Sequence, residues 1–219
     1  WLAVRNGKRL PYLCFSIPEV QEWAYETMKN LFRLCTSVYW KLDFNIDPGF
    51  GCNAPGHCHN SGNGLLKHYE GLYRVLDRLR REFPELVIEN CSSGGQRLNL
   101  EMGLHTHLHF LSDADHSVHQ MHLFKEASKW FLPRQLLHFM WSGARTPHNP
   151  LFPSLNLDSI SPKELHYHMR LAMLHPFGIS HRLTEYSPAT LSLMKDYLTE
   201  YKDIIRPYIA GGIYLPLYL

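Results

Sequence analysis

Nowhere does this sequence approach the roughly 18 uninterrupted apolar residues of a membrane-crossing helix, so no segment is expected to span a bilayer. Neither sign of charge dominates. Lys plus Arg number 22 against 20 for Asp plus Glu, which argues against nucleic acid as a partner. The basic run DRLRRE at 77–82 reads as the solvated face of a helix. The five cysteines, at 14, 35, 52, 58 and 91, are odd in number and follow no framework spacing. Reduced thiols and a cytoplasmic location are therefore expected, the one pairing considered being Cys52 with Cys58 across CNAPGHC. Internal repeats, low-complexity tracts and a signal-peptide pattern are also missing. The chain opens on Trp1 and not on Met, so it is expected to be a piece of a longer protein.

What is present is a chain that can bury a core, with 45% hydrophobic residues over 219 positions. Apolar spacing of three and four predicts helices over 20–34, 65–83, 118–130, 163–174 and 189–205, with a shorter one over 96–102. Strands are predicted over 36–44, 86–89, 107–111, 135–141 and 178–180, after a first strand ending in LCFS at 13–16. Strand and helix alternate with no hairpin in this reading. Such alternation implies an α/β fold of parallel strands with helical crossovers, either an open sheet or a barrel.

In both architectures the chemistry gathers at the C-terminal ends of the strands. These ends read KLDFN (41–45), ENCSSGG (89–95), LSDAD (111–115), MWSGAR (140–145) and SHRL (180–183). The first is the most unusual. Strand alternation puts Lys41, Asp43 and Asn45 on one face and Trp40, Leu42 and Phe44 on the other. A charged face on an apolar strand is costly unless it meets water, a partner or a substrate. Asp43 and Asp113, at two separate strand mouths, could flank a sugar as nucleophile and acid/base, with Lys41 holding Asp43 ionised. The same aspartates could equally cap loops or helix starts.

Three motifs in order decide between these readings. KLDFN around Asp43, CSSGGQR at 91–97 and LSDAD around Asp113 resemble the signatures of glycoside hydrolase family 36, the α-galactosidases. Flanking stretches at 16–23, 71–86 and 201–207 extend the resemblance over nearly the whole chain. It implies the later part of a (β/α)8 TIM barrel, about strands three to eight, with 209–219 leading into a further domain. It implies retaining hydrolysis of terminal α-galactosides through a glycosyl-aspartate, with Asp43 as nucleophile, Asp113 as acid/base and no cofactor. By the same resemblance Lys41 and Asn45 bind sugar hydroxyls, and Cys91, Ser93 and Gly94 line the pocket. Lys8, beside Arg9, falls where the family has an arginine, and a lysine cannot reproduce a bidentate guanidinium contact. Leu42 stands in place of Trp, Ile46 of Arg, Asn99 of Asp, Phe110 of Trp and Cys14 of Asp. The partner implied is an α-galactoside or related oligosaccharide, with homo-oligomers conceivable.

Fifteen histidines raise a metal alternative. HTHLHF at 105–110 is read as a strand with His105, His107 and His109 on one face, and His116, His119 and His122 recur at helical spacing. The group Cys52, His57, Cys58 and His59 offers zinc-ligand chemistry in a loop. Trp141, at a strand end, is a candidate for stacking on a sugar, whereas Tyr39, Trp40, Trp130 and Tyr186 are expected in the core. Beside the hydrolase stand a raffinose-synthase-like transglycosylase, a metal-dependent barrel hydrolase and a silent sugar-binding relic. As an isolated piece the chain is expected to be inactive.

Overall fold

The computed structural model describes residues 1–113, 117–140 and 156–212. Trp141, Asp115 and His116 lie outside them, as do 213–219. Two compact units divide the chain, Trp1–Ser92 with Leu104–His107, and Ser93–Gly103 with Leu108–Leu219.

The first unit begins with a correction. Strands β1 (Leu2–Arg5) and β2 (Lys8–Leu13) pair antiparallel, so the chain does open on a hairpin. Asn6 and Gly7 supply the cause, with φ of 50° and 77°. A two-residue turn of type I′ needs both central residues left-handed, and Asn-Gly is the pair that adopts this cheaply. The strand read as ending in LCFS is thus the return arm of a hairpin.

Helix α1 (Pro18–Cys35) starts on a proline, whose missing N–H costs nothing in the first turn, and stops where Thr36 turns left-handed at φ 49°. It buries Val20, Ala24, Tyr25 and Phe32. Helix α2 (Gly64–Glu82) buries His68, Gly71, Leu72, Val75, Leu76 and Leu79. Gly71 is required there, since a Cβ would sit 1.8 Å from the Phe15 carbonyl oxygen. Charges tie the two helices: Lys29 lies 3.0 Å from Glu82, and the Arg78 guanidinium sits 3.3 Å above the Tyr25 ring. Strands β3 (Tyr39–Asp43) and β4 (Val87–Cys91) pair parallel, Lys41 opposite Glu89 and Asp43 opposite Cys91.

In the second unit β5 (Leu108–Phe110), β6 (Leu136–Met140) and β7 (Phe177–Ile179) pair parallel in that order. Helix α3 (Leu100–His105) precedes β5, and α4 (Ser117–Ala127) follows it. Helix α5 (Pro162–Ala172) opens on a reciprocal cap, Ser161 Oγ accepting from Glu164 N while Glu164 accepts from Ser161 N at 2.8 Å. Helix α6 (Pro188–Glu200) is capped by Ser187. The single helix expected over 189–205 loosens to a π turn at Tyr201–Ile205 before α7 (Arg206–Gly211). Pro207 explains the wider turn, because its ring would crowd the carbonyl four residues back in a regular helix. Met140, Leu165, Met169, Met173, Met194 and Tyr201 form one buried cluster, and Leu111, Phe124, Phe131 and Leu136 another.

The α/β reading therefore holds, with parallel strands and helical crossovers. Among the described residues no helix is long and apolar enough to cross a membrane.

Candidate active site

Strand β3 alternates as its sequence requires. Tyr39, Lys41, Asp43 and Asn45 are exposed, while Trp40, Leu42, Phe44 and Ile46 are half-buried. Trp40 and Leu42 line an apolar groove of about 500 Å³ together with Phe15, Trp23, Met28 and Leu31. The exposed face carries the charged and polar groups. Lys41 Nζ lies 3.1 Å from Glu89 Oε1 across the parallel pair, and the Tyr39 hydroxyl donates to Glu89 Oε2. Burial first, and then the bond to Glu89, push the Tyr39 hydroxyl well above its ordinary value. Sequence reading expected Lys41 to serve Asp43, and the structure gives it a carboxylate partner that reading did not assign, Glu89. Glu89 was visible as a charge inside the apolar run LVIE, and its side chain is 3% exposed.

The turn after β4 is held against β3. Phe44 N donates to the Cys91 carbonyl at 3.1 Å, and the Ser92 hydroxyl donates to the Phe44 carbonyl. Cys91 is buried at the end of β4, opposite Asp43. The chain then enters the second unit through two left-handed residues, Ser93 (φ 42°) and Gly94 (φ 79°). A Cβ on Gly94 would meet Ser112 Cα at 2.7 Å and the Asp113 amide nitrogen at 2.8 Å. Ser93, Gly94 and Asp113 are therefore neighbours in the second unit, Asp113 itself being exposed. Asn99 accepts from Met102 N at 2.9 Å and so caps α3. Phe110 packs on Phe139 and His138 in the core. Lys8 stands exposed at the start of β2, opposite Arg5 in the hairpin.

The histidine strand does not exist as read. His105 ends α3, stacked 4.2 Å from Tyr73 and 2.8 Å from Asp77. His107 accepts from Ile88 N at 3.0 Å, and only His109 belongs to β5, buried against Phe131. The tight turn between helix and strand, which the periodicity of alternating histidines concealed, sends the three rings to different surroundings. Among the described residues one group of ligand-type side chains comes together: Cys14, Cys52, His57 and His59. Cys58, grouped with them by sequence, is exposed, and all five cysteines are free thiols.

The chain matches the family described as melibiase over residues 4–212. It is 28% identical to α-galactosidase 2 of Pediococcus pentosaceus over 199 residues, covering 89% of this chain and 26% of that protein. It is 36% identical to an α-galactosidase of Escherichia coli over 131 residues, covering 58% and 17%. Among solved structures, the GH36 α-galactosidase AgaA of Geobacillus stearothermophilus superposes with a TM-score of 0.75 at 23% identity, covering 94% of this chain and 28% of that one. This likeness shows the fold. The chain spans about a quarter of the length of these full-length relatives.

Proposed function

The chain belongs to the melibiase family, and from that premise we propose that it is the later part of a (β/α)8 barrel that hydrolyses terminal α-galactosides with retention. In this reading β3 is the fourth barrel strand and β4 to β7 are the fifth to the eighth. Asp43 attacks the anomeric carbon while Asp113 protonates the departing glycosidic oxygen, leaving a glycosyl ester on Asp43. Asp113 then takes a proton from water, which attacks the same carbon and frees Asp43. Lys41 and Asn45, with Cys91, Ser93, Gly94 and Lys8, contact the sugar.

The observation that carries the proposal is the exposed face of β3, where Lys41, Asp43 and Asn45 stand in line at the strand's C-terminal end with Cys91 opposite Asp43. The relatives support it. Geobacillus AgaA has been solved with stachyose and with raffinose, in variants that replace one aspartate by alanine and another by asparagine. Those two aspartates are as far apart in that sequence as Asp43 and Asp113 are here. An α-galactosyl oligosaccharide is accordingly the proposed substrate. By itself, the piece Trp1–Leu219 is proposed to be inactive, because five parallel strands are described where a closed barrel has eight.

A panel of nitrophenyl α-glycosides given to the full-length protein tests the reading. Turnover of the galactoside above the glucoside and mannoside is expected. A protein that turns over none of them refutes it.

A further inference from the structure

Outside the sugar site, four side chains with metal-ligand chemistry meet in the first unit. Cys14 follows β2, and Cys52, His57 and His59 come from the loop between β3 and α2. Their ligand atoms all lie within 4.8 Å of one another. A tetrahedral zinc with bonds of about 2.3 Å to sulfur and about 2.0–2.1 Å to nitrogen sets its ligands roughly 3.3–3.8 Å apart. Small side-chain rotations cover the difference. We infer that Cys14, Cys52, His57 and His59 bind a structural zinc ion.

Three further observations agree. The Cys52 sulfur receives backbone N–H groups from Val4 at 3.2 Å and Ala54 at 3.5 Å, as a thiolate does. His59 has its Nδ1 3.0 Å from the Asn60 carbonyl, which fixes the proton on Nδ1 and leaves Nε2 as the lone-pair nitrogen. That Nε2 is buried without a hydrogen-bond partner. A ring tethered through one nitrogen to a backbone carbonyl, with the other left for the metal, is the usual second tie of a zinc-bound histidine. The His57 Nδ1 already stands 3.3 Å from the Cys52 sulfur.

The fold gives such an ion a task. Between β3 and α2 the chain runs some twenty residues without regular structure, and loops this long inside a domain need tying down or a function. Backbone bonds already lean it on the hairpin, Asn53 N donating to the Val4 carbonyl at 2.8 Å and Arg5 reaching the Gly51 carbonyl at 3.1 Å. Zinc would join Cys14 to that loop and release two thiol protons as it binds. The loop begins directly after Asp43, so the ion braces the segment carrying Asn45 while taking no part in bond cleavage.

The test uses the full-length protein without a histidine tag, expressed with added zinc and dialysed before elemental analysis. About one zinc per chain is expected in the wild type and in Cys58→Ser, falling at least tenfold in Cys52→Ser and His59→Ala. Should those variants not fold, cobalt added to the zinc-stripped wild type reads the site directly. Intense tetrahedral d–d bands with thiolate charge transfer support the inference. A wild type that holds no zinc and gives no such spectrum overturns it. So does a Cys14–Cys52 disulfide in the intact protein, or zinc that survives both folded variants. None of these readouts involves sugar turnover, so they stand apart from the fate of Asp43 and Asp113.

Discussion

Lys41 and Glu89 stand opposite each other in the parallel register of β3 and β4, their charged atoms 3.1 Å apart. The pair is lopsided: the lysine side chain is 32% exposed and the glutamate only 3%. Removing the lysine strands a buried carboxylate, and breaking such a pair costs about 3–5 kcal/mol when both partners are buried. With Lys41 partly in water, Lys41→Met is expected to cost nearer the lower end of that range. Glu89→Gln should be milder, about 1 kcal/mol, because an amide oxygen still accepts from Tyr39. Urea unfolding of both variants measures the difference. Equal losses would mean that the lysine carries no special burden.

Chemical rescue separates the two aspartates. Asp43→Gly in the full-length protein should abolish turnover, and azide entering the vacated position should yield a β-galactosyl azide. Asp113→Ala should spare activated nitrophenyl substrates and slow those with poor leaving groups by about 100-fold or more, since general acid catalysis contributes roughly that much. An α-azide from the Asp43 variant, or equal losses on both substrate types for Asp113→Ala, would remove the assigned roles.

Much of this architecture is legible without coordinates, for a physical reason that also explains the failures. Helices α1 and α2 declare themselves because Val20, Ala24 and Phe32, or Leu72, Val75, Leu76 and Leu79, fall on one buried face. The face of β3 is legible because period-two alternation admits one arrangement. The opening hairpin is obscured by its charged and proline-bearing strands, although Asn6-Gly7 marks its turn. Cys14 is invisible as a partner of Cys52, since only tertiary folding brings residues that far apart in sequence together. The Glu89 contact needs the strand register, which no single segment contains.

Two buried histidines make stability depend on pH. Burial pushes both His109 and His175 down to about 4. His109 packs on Phe131, while His175 lies against Phe124 with His138 nearby and its Nδ1 2.6 Å from the Pro176 carbonyl. Unfolded, each ring has its ordinary value near 6.5. Between pH ~6.5 and ~4 the unfolded chain therefore binds protons that the folded chain refuses. Their contribution is fully present above ~6.5 and is lost as pH falls toward 4, on the order of 3 kcal/mol for each ring. Unfolding midpoints from pH 7 to 5 should fall steeply, and His109→Phe should flatten the slope. An unchanged slope in that variant would show that its ring is not excluded from protonation.

Gly94 offers a way to move Asp113 without touching its carboxylate. Its φ of 79° strains any L-residue, and a Cβ there meets Ser112 Cα and Asp113 N, atoms of the backbone that cannot rotate aside. Gly49 shares the left-handed backbone, at φ 53°, but a Cβ there meets nothing within 4 Å. Gly49→Ala should therefore cost only the conformational strain, about 1 kcal/mol. Gly94→Ala adds displacement of the 112–113 backbone and should cost a few kcal/mol, as strained and crowded sites do. Its kinetic mark should be selective. If the turn sets the position of Asp113, Gly94→Ala reproduces the leaving-group dependence of Asp113→Ala in milder form, while Gly49→Ala leaves the profile unchanged. A uniform drop across leaving groups in Gly94→Ala would place the damage in sugar binding, and the turn would then serve the pocket wall and not the acid.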